Sequence, residues 1–311
     1  MNRYIKSLDG LRGAGILFVL FSHFFATYAH PWLGFSWVWV EMFFVQSGFL
    51  ITTILLGDRD LGFADFSKRF YWRRALRILP PYVAYVGIFT LSFLLFRKPI
   101  DLPKHLPYLA TYTYNFTRLV PGLHADSYYV HLWSLSVEEQ FYLVWPLVIY
   151  FLSRRRLRQV LVFFIVMAPV CRGLLAAYLS SLPWFTGPGS GFGPASVGEA
   201  TYGFTLSQWD GFAYGAAIPV FGLRERIRHP GRWAIALSCL LVVAGLANLI
   251  ASGHTLDFSR ITTLGLQATT TTHLQHVWSY SLVNLIFMPT TLHVLKPDYK
   301  GLFTAAPLVR I

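Results

Sequence analysis

The stretch HLWSLSVEEQFYLVWPLVIYFL (residues 131–152) is apolar over most of its length, yet it contains the adjacent pair Glu138 and Glu139. A helix needs about 20 mostly apolar residues to cross the hydrocarbon core of a bilayer, and this stretch has that length. Ionisable side chains are costly at such a depth and mark functional sites by default. The stretch therefore predicts a membrane helix that carries a chemical site and needs a cation as its partner.

The same apolar character runs through the whole chain. Its 311 residues are 55% hydrophobic and 13% charged, whereas soluble domains carry roughly 25% charged residues. Because no long soluble segment separates the apolar stretches, we expect residues 1–311 to form one all-α domain. This domain would be a polytopic bundle of about eight or more transmembrane helices, with no separate soluble domain. The predicted spans are residues 13–29, 36–56, 80–96, 131–152, 160–180, 206–222, 233–252 and 277–295.

The positive charge of the chain is concentrated in short loops. The net charge is +12, and most lysines and arginines fall on the side of the predicted bundle that holds the N-terminus. Cytoplasmic loops are enriched in these residues, so we expect a cytoplasmic N-terminus. Short basic loops between spans suit the surface of a lipid bilayer, and we expect no nucleic-acid partner.

A shorter and more polar segment, HLPYLATYTYNFTR (residues 105–118), lies between the third and fourth predicted spans. It is too short to cross a bilayer as a helix. We expect it to form a re-entrant or an interfacial helix.

The first predicted span contains a histidine inside an apolar run. His23 follows Arg12 by eleven residues, which corresponds to roughly 16 Å along a helix. A neutral imidazole tolerates burial and can act as a general base near neutral pH. A histidine that only hydrogen-bonds to a neighbouring helix would give the same pattern, so the spacing alone leaves packing and catalysis equally open.

A basic segment, KRFYWRRALRILPPY (residues 68–82), precedes the third predicted span. Its arginines recur at helical spacing, and guanidinium groups match phosphate oxygens, which favours a phosphate-binding site. Basic residues also accumulate at any cytoplasmic interface, so the cluster has a second explanation of equal weight. The pair Pro80 and Pro81 predicts a helix break or a helix start. The basic residues are Lys68, Arg69, Arg73, Arg74 and Arg77.

Further acidic residues fall inside predicted spans. Glu41 precedes FFVQSGFLI and could pair with a buried arginine or histidine, and Asp210 in SQWDGFAYGAAI is a weaker case of the same kind. Next to Glu41, the pair Ser47 and Gly48 allows close approach of a neighbouring helix. In the fourth span, helical spacing predicts one stripe of five residues that excludes Glu139. The stripe consists of His131, Ser134, Glu138, Tyr142 and Trp145.

Four motifs of the chain, in this order, resemble the acyltransferase-3 family of integral membrane acyltransferases of the O-acetyltransferase type. The resemblance runs over nearly the whole chain, with a weaker echo in WDGFAYGA (residues 209–216). The four motifs are SLDGLRGAGILFVLFSH (7–23), EMFFVQSGFLIT (41–52), RRALRILPPY (73–82) and HLWSLSVEEQFYLVWP (131–146).

The resemblance implies transfer of an acyl group, usually acetyl, from a cytoplasmic acyl-CoA to a hydroxyl of a sugar or cell-envelope glycan. Acetyl-CoA or another acyl-CoA is then a donor substrate, and no permanently bound cofactor or metal is expected. The resemblance also implies a multi-pass protein of a bacterial inner membrane. The family's arginine–histidine pattern falls on Arg12 and His23, its RxxR motif on Arg74 and Arg77, and its membrane glutamate on Glu138 and Glu139.

The chain departs from the family pattern at Glu41, where aspartate is usual, at Gln46, which replaces an apolar residue, and at Gln208, where an arginine is common. These departures concern acceptor recognition more than the transfer chemistry. The family also continues with further spans past the position where this chain ends. We therefore expect a truncated or a short member.

The motif residues suggest how the donor is bound. Arg73, Arg74 and Arg77 would hold the phosphates of CoA. Arg12 would line the path of the donor or meet developing negative charge.

For the transfer itself, His23 would act as general base on the acceptor hydroxyl, oriented by Glu138 or Glu139. A covalent acyl-histidine or acyl-tyrosine relay is an open alternative. A transporter or flippase is the competing function class, because buried His, Glu and Arg also build proton or ion relays. The motif set favours the acyltransferase.

Overall fold

A computed structural model of the protein describes residues 5–25, 35–96, 102–120, 123, 128–187, 194–252, 263–266 and 271–304. These residues form helices and turns and no strand, which confirms the all-α prediction for the described part of the chain. Short 3-10 turns cover Tyr114–Leu119, Thr205–Gln208, Thr272–Leu274 and Leu302–Thr304. The helices are α1 (Lys6–Phe25), α2 (Trp37–Gly57), α3 (Phe63–Phe96), α4 (Leu102–Ala110), α5 (Leu132–Phe151), α6 (Arg154–Ser180), α7 (Pro183–Thr186), α8 (Pro194–Gly203), α9 (Trp209–Phe221), α10 (Leu223–Arg226), α11 (Pro230–Ala251) and α12 (Gln275–Val294).

Four of these helices, α2, α3, α6 and α11, are long and apolar enough to cross a membrane. Helices also lie at the other four predicted positions, but polar residues or short length set them apart. The first turns of α1 carry Lys6, Asp9 and Arg12, α5 carries the glutamate pair, and α9 has only 13 residues. The number of eight spans therefore stays a prediction.

The third predicted span belongs to a longer helix. α3 runs without interruption for 34 residues, and Pro80 and Pro81 lie inside it. The prediction that this pair breaks or starts a helix is wrong. Prolines are tolerated inside membrane helices because neighbouring groups satisfy the freed backbone carbonyls. As a result, the basic segment and the apolar span form one rigid element.

The centre of the fold is the contact between α2 and α9. A Cβ atom on Gly48 would lie 2.0 Å from the carbonyl oxygen of Phe212, and one on Gly215 would lie 1.8 Å from that of Val45. Only glycine permits such an approach of two backbones. The close approach predicted at Gly48 is confirmed, and it brings the polar residues of both helices together.

Helix α2 is packed on several sides, whereas α3, α6 and α11 are peripheral. More than half of the apolar window of α2 is buried inside the protein (56%), against 11% in α3. α1 and α5 also pack against α2, and α6 and α12 pack against α9. A helix that is apolar all round and mostly exposed on its own is suited to lipid contact. The polar sites therefore lie around α2.

The segment between α3 and α5 folds back along α3. The hydroxyl of Tyr82 donates to the carbonyl oxygen of Leu109 (2.7 Å), and the rings of Tyr82 and Tyr112 are stacked at 4.5 Å. Tyr82 lies fourteen residues before the end of α3, roughly 21 Å along the helix. This return brings Tyr112 to the level of the glutamates on α5, and a re-entrant or an interfacial position in the bilayer stays a prediction.

Candidate active site

One face of α5 presents a row of polar side chains to α2. The hydroxyl of Ser47 donates to Glu138 (2.7 Å) and accepts from the hydroxyl of Tyr142 (3.1 Å). Two turns along, the indole of Trp145 donates to Thr52 (2.7 Å). The predicted stripe is confirmed over these three residues of α5. It fixes the rotamer of Glu138 toward the interior of the bundle.

Arginines supply the cations that the glutamates need. The guanidinium of Arg74 lies over the ring of Tyr142, 4.7 Å from its centre. Arg74 interacts electrostatically with both Glu138 and Glu139, and Arg12 interacts with Glu138. We call Arg74, Glu138, Glu139 and Tyr142 the glutamate cluster. It joins α3 to α5 and faces the basic end of α1.

A cavity of about 330 Å³ borders the glutamate cluster, between α3, α5 and the turn after α4. Glu139 lines this cavity and Glu138 does not, so the two neighbouring carboxylates have different surroundings. Its apolar wall comes from Ala75, Ile78, Leu79 and Leu143. Its polar residues are Tyr71, Arg74, Thr111, Tyr112, Glu139, Gln140 and Tyr142. The cavity can hold a slender, mixed polar and apolar ligand.

The predicted phosphate-binding arginines fall into two groups. Arg73 forms an ion pair with Asp58 (3.0 Å), and so does Arg69 (3.2 Å), on an exposed face of α3. Arg74 lies one residue further, about 100° round the helix, and lines the cavity. Arg77 is exposed and lies near enough to Arg74 to interact with it. The cavity side therefore holds Arg74, with Arg77 near it, and Asp58 holds Arg73 on another face.

His23 lies near the start of α5. Its Nδ1 atom lies 2.8 Å from the carbonyl oxygen of Val19 and donates a hydrogen bond to it. In the neutral imidazole, Nε2 then carries a lone pair that can accept a proton, as a general base requires. The side chain is exposed and interacts electrostatically with His131. Glu138 follows His131 by seven residues, which is roughly 10 Å along the helix. Among the described residues, no hydrogen bond joins His23 to Glu138 or Glu139 that would support the orienting role.

A second polar cluster is sealed inside the bundle. Arg172 of α6 has no exposed surface and binds both carboxylate oxygens of Asp210 (2.9 and 3.2 Å). It also donates to the carbonyl oxygens of Ser207 (2.5 Å) and Val277 (3.1 Å) and to the hydroxyl of Ser281 (2.5 Å). We call Arg172, Asp210, Ser281 and Asn284 the Arg172 cluster. It connects α6, α9 and α12, and Glu41 of α2 lies beside it.

Glu41 faces the Arg172 cluster without joining its ion pair. The side chain is fully buried, and Arg172 and Asp210 are close enough to interact with its charge. Asn284 and Tyr202 lie beside it, but neither carboxylate oxygen makes a hydrogen bond of normal geometry. The predicted arginine partner exists, yet both terminal nitrogens of Arg172 are already committed to Asp210.

Comparison with known proteins identifies the family. The chain matches the model of the acyltransferase-3 family, described as an acyltransferase domain, over residues 5–306. The chain belongs to this family. The resemblance carried by the four motifs is thereby confirmed, and membership of the acyltransferase-3 family does not favour the transporter or flippase alternative.

Several curated relatives are similar to part of the chain. O-acetyltransferase OatA of Staphylococcus aureus (strain NCTC 8325 / PS 47) is 33% identical over 165 residues, which are 49% of this chain and 26% of that protein. YrhL of Bacillus subtilis (strain 168) is 36% identical over 160 residues, 47% of this chain and 24% of that protein. Peptidoglycan O-acetyltransferase OatA of Listeria monocytogenes serovar 1/2a (strain ATCC BAA-679 / EGD-e) is 30% identical over 158 residues, 47% and 24% of the two chains. The aligned part thus spans about a quarter of these relatives. No solved structure matches the chain.

Several residues of these sites were not predicted from the sequence, among them Arg172 and Tyr112. Arg172 lies inside the predicted span 160–180, and an arginine at such a position is itself a signal of a buried partner. Tyr112 lies in the short polar segment and carries no comparable signal. Its place in the cavity depends on a positive φ, which cannot be predicted for a tyrosine from the residue type.

Proposed function

We propose that this chain is a membrane O-acyltransferase that moves an acetyl or other short acyl group from cytoplasmic acyl-CoA to a hydroxyl of a cell-envelope carbohydrate. One observation carries the proposal: the cavity beside Arg74 and Glu139 lies against α5, and His131 just before this helix interacts with His23. The names of YrhL, a putative peptidoglycan O-acetyltransferase, and of the Listeria peptidoglycan O-acetyltransferase OatA point to peptidoglycan as the first acceptor to test.

The donor would enter on the side of the N-terminus, which we place in the cytoplasm with the protein in a bacterial inner membrane. Arg74 and Arg77 would bind the phosphates of CoA, since guanidinium groups pair with phosphate oxygens. Arg73, held by Asp58, would act only at the entrance. His23 lies roughly 16 Å along α1 from Arg12, so the pantetheine arm would extend over that distance to bring the thioester to His23.

His23 would carry out the proton transfer. Its Nε2 atom takes the proton of the acceptor hydroxyl while that oxygen attacks the thioester carbonyl, and the new acyl–oxygen bond forms. The acyl–sulfur bond then breaks, and the leaving CoA thiolate takes the proton from the imidazolium. General-base catalysis of this kind contributes about 10²–10⁴ in rate. Arg12 would line the path of the donor, with Glu138 holding Arg12 and Arg74 in position.

The proposal is tested with the purified protein in lipid nanodiscs, acetyl-CoA, and peptidoglycan fragments or other envelope glycans. We expect release of free CoA thiol that depends on the acceptor, together with acetyl ester on the glycan. Acetyl label retained on the protein without acceptor would indicate the covalent relay instead of direct transfer. Absence of thiol release with every donor and acceptor would overturn the proposal.

A further inference from the structure

The backbone of Tyr112 adopts a conformation that side chains rarely take. Its φ is +52°, in the left-handed region, and it is neither glycine nor asparagine. Such a conformation persists only where the surroundings over-determine it, and it is concentrated at functional sites. The reason for it at Tyr112 must be sought in what the side chain touches.

Two side chains hold Tyr112 in place. The amide of Gln140 on α5 donates to its backbone carbonyl oxygen (2.8 Å). The ring of Tyr82 on α3 stacks on its ring at 4.5 Å, and the hydroxyl of Tyr82 bonds to Leu109 in the same turn. Both neighbouring helices thus fix the direction in which the side chain points.

The side chain lines the cavity, and its hydroxyl is buried. Among the residues that the structure describes, the hydroxyl of Tyr112 and one carboxylate oxygen of Glu139 are buried without a hydrogen-bond partner, and both residues line the cavity. Burial, and after it the nearby carboxylate of Glu139, raise the pKa of Tyr112 to about 12. At neutral pH the hydroxyl therefore keeps its proton and can donate it to a ligand. Buried polar atoms without partners are rare and need an explanation.

An amide group would satisfy both atoms at once. Its carbonyl oxygen accepts from the hydroxyl of Tyr112, and its N–H donates to Glu139. The pantetheine arm of CoA contains two amides joined by methylene groups, which match the apolar wall of Ile78, Leu79 and Leu143. Arg74 lines the same cavity and provides the positive charge for the phosphate end.

We infer that Tyr112 and Glu139 bind an amide of the pantetheine arm of acyl-CoA and so fix the position of the donor in the cavity. This inference rests on the proposed function. It makes Tyr112 a donor-binding residue and gives Glu139 a role that Glu138 does not share. It also explains why the chain maintains a strained backbone at this turn.

The test compares binding of CoA with binding of adenosine 3′-phosphate 5′-diphosphate, which lacks the pantetheine arm, to the purified protein. Tyr112→Phe removes the hydroxyl and keeps the ring stack. We expect it to weaken binding of CoA about 3- to 10-fold, the value of one hydrogen bond, and to leave binding of the nucleotide unchanged. Glu139→Gln should act on the same ligand only, whereas Arg74→Gln should weaken both.

Tyr85→Phe is the matched control, because it removes a hydroxyl of α3 that lies outside the cavity and donates to the carbonyl oxygen of Tyr128. It should lower the melting temperature and leave the ratio of the two affinities unchanged. If Tyr112→Phe leaves that ratio at the wild-type value, the inference is overturned while the proposed function stands. If the wild-type protein binds neither ligand, the donor assignment of the proposed function fails, and the inference fails with it.

Discussion

The glutamate cluster and the Arg172 cluster combine the same kinds of side chain in opposite ways. In the Arg172 cluster, both side chains of the ion pair have no exposed surface, and the terminal nitrogens of Arg172 are bound by protein atoms. In the glutamate cluster, Arg74 lies over an aromatic ring, and Glu139 faces a cavity with an unpaired oxygen. A buried charge that protein groups satisfy holds helices together. A charge left beside a cavity is available to a ligand.

The largest effect on stability should come from breaking the ion pair of the Arg172 cluster. Arg172→Met leaves Asp210 buried without its cation, which costs about 3–5 kcal/mol, and we expect loss of most folded protein after extraction. Thermal unfolding in detergent, with the yield of monodisperse protein, measures this. The double variant Arg172→Met with Asp210→Leu should recover part of the stability, since an apolar pair can replace a buried ion pair.

Arg73→Met is the control for that experiment. It breaks an exposed ion pair of similar length, 3.0 Å to Asp58, and exposed pairs contribute only about 0–1 kcal/mol. Equal stability of the Arg172→Met and Arg73→Met proteins would show that the Arg172 cluster does not hold the helices together.

An intermediate effect should come from the glutamate that does not line the cavity. Glu138→Gln keeps the shape and removes the charge that faces Arg12 and Arg74. We expect kcat to fall about 10- to 100-fold, the range for one hydrogen bond to a charged group, with little change in melting temperature. A steady-state assay of thiol release measures this. A variant that unfolds like Arg172→Met would place Glu138 with the structural residues instead.

The smallest effect should separate two adjacent arginines. Arg74→Gln should raise the KM for acetyl-CoA about 10-fold, because a charge-assisted bond to phosphate is lost. Arg73→Gln should change it less than about twofold, because Asp58 holds that guanidinium on another face of α3. Initial rates of both variants, measured over a range of acetyl-CoA concentrations, give the two KM values. Equal KM values would mean that the arginines only set the topology.

Some features of the two clusters can be predicted from the sequence, and others cannot. Apolar length and helical spacing predict α2, the apolar part of α3 over residues 80–96, the contact at Gly48 and the stripe from Glu138 to Trp145. They cannot predict which helix supplies a buried partner. An arginine or a histidine could pair with Glu41, and the arginine that lies near it, Arg172, binds Asp210 instead. Pairing of this kind depends on tertiary packing.

Two further features depend on geometry that residue types do not encode. Arg73 and Arg74 are equivalent by composition, yet one residue of helical rotation assigns them to different faces. The place of Tyr112 depends on a positive φ that Gln140 and Tyr82 impose from other helices. In both cases the position of the residue depends on the packing of α3, α4 and α5 against one another.

The most direct measurement uses His23→Ala with radiolabelled acetyl-CoA and follows bound donor and transferred acetyl group in the same sample. We predict that the donor binds as in the wild-type protein, because the cavity lies between α3 and α5, while transfer falls by about 10²–10⁴. His229→Ala, an exposed histidine at the start of α11, should leave both quantities unchanged. Transfer by His23→Ala at the wild-type rate would contradict the account.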